Sequence, residues 1–276
     1  MNRNIAMILG AGCLWGLMGI FTRLMSSFGF ATSGTVLIRC GIAAILFALT
    51  LLVRDRSLFR IRLRHLWCFL GTGICSLLFF TFCYFQAISM TSLSTAAILL
   101  YTAPSMVMLM SLILFHEKLT KAKVLALVMA FLGCCFVSGL GTGSLTLTWV
   151  GLIYGLCSGF GYALYSIFAR LAMNRGYTSL TINFYSCLFA ALGSAIIWNP
   201  MESFRLYVSG WQPMLVGFLM AFVGCYLPYL LYTKGLEQVE NGRASVMASV
   251  EPVVATLSGV LVFHEKLTAL SLLGIC

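Results

Sequence analysis

The chain has 276 residues, of which 61% are hydrophobic and only 9% are charged, and its mean hydropathy is +1.01. Soluble domains carry about 25% charged and about 45–50% apolar residues, so this composition excludes a soluble monomer and indicates a polytopic membrane protein. A net charge of +10 suggests a nucleic-acid partner in a soluble chain, but here the positions of the basic residues decide its meaning.

Ten apolar stretches follow one another, each apolar around the whole helix, as expected for membrane spans of about 20 residues. The predicted spans are 4–27, 32–53, 65–88, 92–115, 121–139, 148–171, 179–199, 211–234, 242–263 and 267 onward. The sequence lacks the short alternating segments of a closed barrel, which predicts an all-α fold. The tenth stretch, "LTALSLLGIC", reaches Cys276 after about half a crossing, so we expect a truncated last helix.

Two turns of nearly identical sequence indicate an internal duplication. "LFHEKLT" at Leu114–Thr120 returns as "VFHEKLT" at Val262–Thr268, 148 positions later, and the same offset places Pro104 on Pro252. Matched motifs at one fixed offset are typical of repeats. We therefore predict a first repeat of five spans at 1–139, a linker at 140–148 and a second repeat at 149–276.

The distribution of basic residues tests this division. Because five is an odd number of crossings, the second repeat must be inverted in the bilayer. Lys and Arg concentrate on the cytoplasmic side of membrane proteins, and with the N-terminus inside, most of the 17 basic residues fall in inside loops. The first repeated turn continues "TKAK" and the second "TALS", as opposite sidedness predicts. We read the charge as a topology signal, with a cytoplasmic N-terminus and no nucleic-acid partner.

Three repeated features carry a resemblance to a known family. "WGLMGIFTR" ends at Arg23 in the first span and "YALYSIFAR" ends at Arg170 in the sixth, each repeat has a Pro in its fourth span, and each continues into "HEKLT". In these features the whole chain resembles the EamA-type transporters of the drug/metabolite transporter superfamily. It departs from them at His116 and His264, where the family usually has Gly.

The resemblance implies an integral membrane transporter, and the inverted repeats imply alternating access to a cavity near the midplane. We expect a secondary transporter or exporter of small metabolites, most consistent with amino acids or related amphipathic amines, in a bacterial plasma membrane. A multidrug or organic-cation exporter is the alternative, and a non-transporting receptor or scaffold is a third interpretation. Family membership by itself assigns no substrate.

Other function classes need motifs that the sequence lacks. It contains no HExxH, GxSxG or P-loop pattern, and its eleven cysteines show no metal-ligand spacing. We therefore predict that the protein is not an enzyme and uses no cofactor or metal. Its expected partners are a small-molecule substrate and the lipid bilayer, and either a monomer or a homodimer would provide a complete pathway.

Three prolines lie away from the ends of predicted spans: Pro104, Pro228 and Pro252. Proline removes a backbone donor and interrupts the helix. A free carbonyl is costly in lipid unless it faces protein, water or a ligand. The pattern favours discontinuous helices around a polar cavity, and a simple kink that packing satisfies is the alternative.

Glu251 is a carboxylate in the middle of the ninth predicted span, in "SVMASVEPVVATLSG". A charge at that depth costs about 3 kcal/mol on insertion scales, so the side chain should face the bundle interior. Three roles remain open: a buried pair with Arg39, a proton carrier, or a partner for a substrate ammonium. Arg39 itself either takes part in gating or extends to the outer headgroups.

Aromatic and amide side chains provide the other candidates for substrate binding, because buried Tyr and Trp carry a polar group that a ligand can use. With Glu251, we predict as substrate-binding residues Trp15, Tyr84, Gln86, Tyr101, Tyr162, Tyr226 and Tyr229. The alternative for each is packing or a place in the interfacial aromatic belt.

The repeated turns are interpreted as structural hairpins or gate contacts rather than as the transport site. Thr120 and Thr268 are placed to N-cap the helix that follows. Glu117 and Glu265 are placed to bridge the turn to the positive N-terminus of that same helix. The pairs Gly12/Gly16 and Gly155/Gly159 predict close helix approach.

Overall fold

The computed structural model describes residues 3–91, 93–137, 148–197 and 199–264, together with Leu272 and Gly274. Within these residues the chain is helical, with no strand. Eight helical segments are long and apolar enough to cross a membrane: Arg3–Ser27, Thr32–Arg54, Leu63–Met90, Thr95–Phe115, Trp149–Met173, Ser179–Ile197, Trp211–Leu236 and Asn241–Phe263. The prediction of an all-α polytopic membrane protein is confirmed.

The first half contains α1 (Arg3–Gly16), α2 (Met18–Ser27), α3 (Thr32–Arg54), α4 (Leu66–Leu70), α5 (Phe79–Met90), α6 (Leu93–Leu100), α7 (Ala103–Phe115) and α8 (Lys121–Val137). The second contains α9 (Trp149–Met173), α10 (Ser179–Ile197), α11 (Pro200–Tyr207), α12 (Trp211–Ala221), α13 (Leu227–Leu236), α14 (Asn241–Ala248) and α15 (Glu251–Phe263). α8 corresponds to the fifth predicted span. Most of the linker and nearly all of the tenth predicted span lie outside the described residues, so their boundaries stay predictions.

The fourth and ninth spans are each divided into two helices. α6 and α7 are separated by a turn at residues 101–102, and α14 and α15 by a turn at 249–250. Pro104 and Pro252 lie in the first turn of α7 and α15, where proline is tolerated because its missing N–H has no intrahelical partner. The predicted discontinuities are therefore breaks rather than simple kinks.

The third and eighth spans are irregular in a different way. Both contain a π-helical segment, Gly71–Leu78 before α5 and Phe222–Tyr226 before α13. Pro228 follows the second segment and accounts for the displaced hydrogen bonds there. The first segment contains no proline, and the sequence analysis did not anticipate it.

Helices of the two halves pack on each other reciprocally. α1 packs on α13, α14 and α15, while α9 packs on α5, α6 and α7. α3 and α10, the second spans of the two halves, pack on each other. Contacts of this self-complementary form are those that a twofold relation between the halves produces. They agree with the predicted inverted repeats.

Glycines allow this close packing at both broken spans. A Cβ at Gly16 of α1 would lie 2.6 Å from the carbonyl oxygen of Glu251, and one at Gly12 would lie 3.0 Å from that of Ala248. In the other half, a Cβ at Gly159 would lie 3.1 Å from the Leu99 carbonyl oxygen. The close approach predicted from the glycine pairs is confirmed, and it places α1 directly against the helix break that carries Glu251.

The residues that depart from the family pattern end α7 and α15. His116 has φ 53° and His264 has φ 54°, both in the left-handed region. Glycine adopts this conformation without steric cost, whereas histidine adopts it less readily. Both helices therefore end in a backbone conformation that glycine would adopt without steric cost.

Candidate functional site

Glu251 lies at the break in the ninth span. It is the first residue of α15, and the Tyr162 hydroxyl of α9 donates a hydrogen bond to Glu251 Oε2 at 3.2 Å. The Tyr162 ring makes an edge contact with Trp15 of α1, with the ring centroids 6.3 Å apart. A hydrogen bond to an ionised oxygen is stronger than one between neutral groups, so Tyr162 fixes the orientation of the charged carboxylate.

Trp15 is the centre of an aromatic group formed by α1, α9 and α13. Its ring lies 5.1 Å from that of Tyr229 and 5.3 Å from that of Tyr232, centroid to centroid. Tyr229 in turn contacts Tyr165 at 4.9 Å. Three predicted binding residues, Trp15, Tyr162 and Tyr229, are therefore in one continuous cluster with Glu251.

Two further predicted residues approach the carboxylate from the first half. Tyr84 of α5 and Tyr101, in the turn between α6 and α7, are both close enough to Glu251 to interact with it electrostatically. Phe80 connects Tyr84 to the aromatic group, because its ring lies 5.9 Å from that of Tyr84 and 5.5 Å from that of Tyr162. Both broken spans thus contribute to the surroundings of Glu251.

The side chains around Glu251 do not form a closed core. Glu251, Tyr84, Tyr101 and Tyr162 are all partly exposed although they lie in the middle of the helical spans. Trp15, in contrast, is only 9% exposed. The carboxylate faces α9 and is backed by α1, and the residue keeps part of its surface exposed.

Gln86 and Tyr226 lie apart from this cluster. Tyr226 packs on Phe47 with centroids 4.5 Å apart and shares a hydrogen bond of 2.9 Å with Thr50 of α3. Gln86 lines a separate cavity of about 270 Å³, which lies between α3, α5 and α10. Successive helical residues turn by about 100°, so Gln86 and Tyr84 point to nearly opposite sides of α5. Nearness in sequence therefore does not place the side chains of Tyr84 and Gln86 at one site.

This second space is called the outer cavity, since the topology prediction places it at the outer ends of α3, α5 and α10. Its lining includes Ser33, Val36, Leu78, Thr81, Gln86 and Ser194. No charged side chain lines it, and the buried Ser33 Oγ has no hydrogen-bond partner. The walls are thus polar in places but uncharged.

Arg39 of α3 lies in the bundle interior and does not pair with Glu251, whose hydrogen-bond partner is Tyr162. The groups that interact with the guanidinium are Cys40, Cys225 and Tyr229. Its buried Nε has no hydrogen-bond partner. The structure therefore does not pair Arg39 with Glu251, which was one of the open interpretations.

Glu117 caps a helix, although not the one expected. Its carboxylate accepts hydrogen bonds from the backbone amides of Asn241 at 2.8 Å and Gly242 at 3.2 Å, at the N-terminus of α14. The prediction that it bridges to the following helix α8 is wrong, because the N-terminus within reach belongs to the other half. Thr120 does cap α8, through the amide of Lys123 at 3.3 Å. Glu265 and Thr268 lie outside the described residues.

Further polar contacts close the predicted cytoplasmic end. Arg170 donates hydrogen bonds to Asn241 Oδ1 at 3.0 Å and to the Val239 carbonyl oxygen. Lys123 forms an ion pair with Glu240. These contacts join the turn after α7 and the end of α9 to the start of α14. Such a cluster can hold this end of the bundle shut.

Sequence reasoning missed a buried polar network beside the aromatic cluster. Asn183 Oδ1 accepts hydrogen bonds from the hydroxyls of Tyr165 and Thr233, and its amide donates to the Tyr229 carbonyl oxygen at 3.2 Å. Asn183 is fully buried and its partners are within the protein, so it supports the site rather than facing a ligand. The described residues contain no group of three side chains suited to a metal ion.

Comparisons with known proteins agree with this architecture. A family described as "EamA-like transporter family" matches the chain twice, at residues 2–139 and at residues 149–276. An uncharacterized transporter of Archaeoglobus fulgidus is 31% identical over 193 residues, covering 69% of this chain and 66% of the relative. The threonine/homoserine exporter RhtA of Salmonella typhimurium is 24% identical over 196 residues, covering 70% of this chain and 62% of the exporter.

A solved crystal structure superposes with a TM-score of 0.82 at 17% identity, covering 98% of this chain and 91% of the other, and it shows the fold alone. The matched part of this chain spans slightly less than two thirds of the length of the curated relatives. Members of the matched family are transporters rather than enzymes, which agrees with the helical bundle and with the repeated match. The chain is thus an integral membrane protein that belongs to the EamA-like transporter family.

Proposed function

We propose that the protein is a secondary transporter that moves amino acids or related amphipathic amines across a bacterial plasma membrane, with its N-terminus in the cytoplasm. The observation that supports this proposal best is Glu251. It is a partly exposed carboxylate at a helix break, hydrogen-bonded by Tyr162 and surrounded by aromatic rings from both halves. Substrate binding is assigned to this cluster.

The chemistry of the cluster suits an ammonium group. A carboxylate attracts a cation strongly where water is scarce. Faces of Trp and Tyr add cation–π attraction of about 0.5–2 kcal/mol per favourable contact. Tyr84, Tyr101 and Tyr162 lie near the carboxylate, and Trp15 packs on Tyr162. An amphipathic amine can thus satisfy Glu251 and bury an apolar portion on the rings.

The broken helices suit alternating access. Breaks at residues 101–102 and 249–250 let each half of a span tilt without unwinding the other half. In this mechanism the contacts of Glu117 and Arg170 with α14 separate when the cytoplasmic end opens. Gating is assigned to these residues and to the prolines at the breaks.

An organic-cation exporter is the second candidate, since a carboxylate in an aromatic cluster requires only a positive charge on the ligand. The similarity to a threonine/homoserine exporter favours the amino-acid alternative. The two differ in whether the transported solute needs a carboxylate of its own.

Counterflow in proteoliposomes tests the proposal. Liposomes loaded with each member of a panel of amino acids and amines should accumulate the same labelled solute for at least one member. Glu251→Gln keeps the shape and removes the charge, and it should lower that rate by about tenfold or more, as loss of a buried charge contact of at least 1.4 kcal/mol requires.

Glu202→Gln is the matched control, because Glu202 is exposed on α11, far along the chain from the cluster. It should transport at the wild-type rate. Wild-type transport by Glu251→Gln with an unchanged pH profile would remove Glu251 from the site. Counterflow of no amine or amino acid by the wild-type protein would refute the proposed substrate class.

A further inference from the structure

Arg39 has a guanidinium with no carboxylate partner among the described residues. Its Nε is buried without a partner, and the groups that interact with it are two thiols and a phenol, from Cys40, Cys225 and Tyr229. None of these carries a carboxylate that could form an ion pair with the guanidinium. A buried arginine is normally paired with a carboxylate or with carbonyl groups. The guanidinium offers a planar fork of donors that matches a carboxylate.

Arg39 also lies close to the outer cavity along α3. Thr32, Ser33 and Val36 line that cavity. Arg39 is three residues beyond Val36 and seven beyond Thr32, which places it one helical turn deeper on the same face. The side chain is partly exposed, so part of it reaches accessible space. The lining of the cavity is uncharged, and Arg39 is the next basic residue along α3 from the cavity-lining Thr32, Ser33 and Val36.

A row of aromatic rings connects Arg39 to the Glu251 cluster. Tyr229 interacts with the guanidinium and packs against Trp15 at 5.1 Å. Trp15 contacts Tyr162 at 6.3 Å, and Tyr162 donates to Glu251. A positive and a negative side chain thus lie at the two ends of one aromatic surface, and neither neutralises the other.

We propose that Arg39 binds the carboxylate of the transported solute. The transporter then selects amines that carry a carboxylate over the same amines without one. This inference rests on the proposed function, because it assumes that an amine is transported, and it names Arg39 as the residue that determines specificity within that class. Glu251 recognises the ammonium group, and the aromatic row contacts the apolar portion of the solute.

The test compares an amino acid with its carboxamide, which has the same shape and ammonium group but no negative charge. Initial rates of counterflow are measured for both solutes in wild type, Arg39→Gln and Arg39→Lys. In wild type the amino acid should be transported about tenfold faster than its carboxamide. In Arg39→Gln that ratio should fall to about one, with carboxamide transport changed by less than about threefold.

Arg39→Lys keeps the charge but loses the fork, so its ratio should be intermediate. Arg205→Gln is the control, since Arg205 is exposed on α11, and its ratio should equal that of the wild type. Thermal stabilisation of the wild-type protein by the amino acid, compared with its carboxamide, gives a measurement that requires no variant. The amino acid should raise the melting temperature more.

The outcomes separate this inference from the proposed function. Equal wild-type transport and equal stabilisation by both solutes would overturn the role of Arg39 and leave the proposed function intact. An equal loss of both activities in folded Arg39→Gln, or an unchanged ratio, would show a purely structural arginine. A wild-type protein that transports neither solute, nor any other amine, would overturn both.

Discussion

Equivalent faces of the third and eighth spans have different surroundings. In the first repeat Leu78 and Thr81 line the outer cavity together with Ser194 of α10. At the 148-residue offset the second repeat has Tyr226 and Tyr229 instead. There the Tyr226 ring packs on Phe47, and its hydroxyl shares a hydrogen bond with Thr50. One face borders open space, and its counterpart is filled.

Side-chain size accounts for much of this difference. Counted from the starts of α3 and α10, Ser194 occupies the position of Phe47, and Leu78 occupies that of Tyr226. The two aromatic rings at the filled end, one from each repeat, thus correspond to a hydroxymethyl and an isobutyl group, again one from each repeat, at the outer cavity. A duplicated backbone can therefore carry an open cavity at one end and a packed cluster at the other.

The loop after α3 adds contacts at the filled end of the bundle, which is the end where Tyr226 packs on Phe47. Its backbone carbonyls at Leu58 and Phe59 accept hydrogen bonds from Thr181 at 2.9 Å and Tyr185 at 2.7 Å. Asp55 caps its first turn, and the hydrogen bond from the Ser57 amide lowers the pKa of that carboxyl. We interpret this conformation as closed at the predicted cytoplasmic end and accessible from the predicted outer end.

The membrane face from which an introduced cysteine can be labelled gives the largest expected effect, because labelling should occur from one face and not from the other. In a variant whose exposed Cys75 is replaced by Ala, Lys121→Cys should react with a membrane-impermeant maleimide only from the cytoplasm. Ser209→Cys, between α11 and α12, should react only from outside. Both positions are exposed, so access to them depends on the membrane face alone. Labelling of both from one face would contradict the assignment of the two ends.

Filling the outer cavity should have the next largest effect. Ser194→Phe introduces the ring that Phe47 supplies at the equivalent position, and it should reduce counterflow by about tenfold if solute enters through this cavity. The cost in stability should be about 1 kcal/mol, from the lost hydrogen bond to the Ser33 carbonyl oxygen.

Ile196→Phe is the control for that variant, since Ile196 is 86% exposed. It should retain transport and stability. Full counterflow activity in Ser194→Phe would show that the open space has no part in the pathway.

Replacing the Tyr226 ring at the filled end with a smaller side chain should have a smaller effect, and this effect should be on stability. Tyr226→Leu gives the second repeat the side chain of the first and removes both the ring packing and the hydrogen bond to Thr50. Exchange of this half-buried, packed aromatic ring for a smaller side chain should lower the free energy of unfolding by about 2 kcal/mol. Tyr226→Phe keeps the ring and should lose only about 1 kcal/mol.

Thermal unfolding in detergent, followed by intrinsic fluorescence, measures both variants. The difference between them isolates the contribution of ring packing. Equal stability of Tyr226→Leu and the wild-type protein would show that the contrast between the two ends does not depend on side-chain size.

Some of the site followed from the sequence and some did not. Glu251 was identifiable because a carboxylate at mid-span depth is costly and must face the interior. Trp15 and Tyr162 were identifiable because they occupy matched positions in the two repeats. The separation of Tyr84 from Gln86 required the orientation of α5. The cross-half cap by Glu117 required knowing which helix N-terminus lies beside it.

The sequence by itself determined the class of the protein, the number and order of the described spans, the positions of the helix breaks and the duplication. These properties depend on local hydropathy, on proline chemistry and on a fixed offset, all of which can be read along one chain. Only the tertiary structure decided which side chains share a space. The Tyr162–Glu251 hydrogen bond, the unpaired Arg39 and the cavity between α3, α5 and α10 depend on helices that are distant in sequence and whose relative rotation is set by packing.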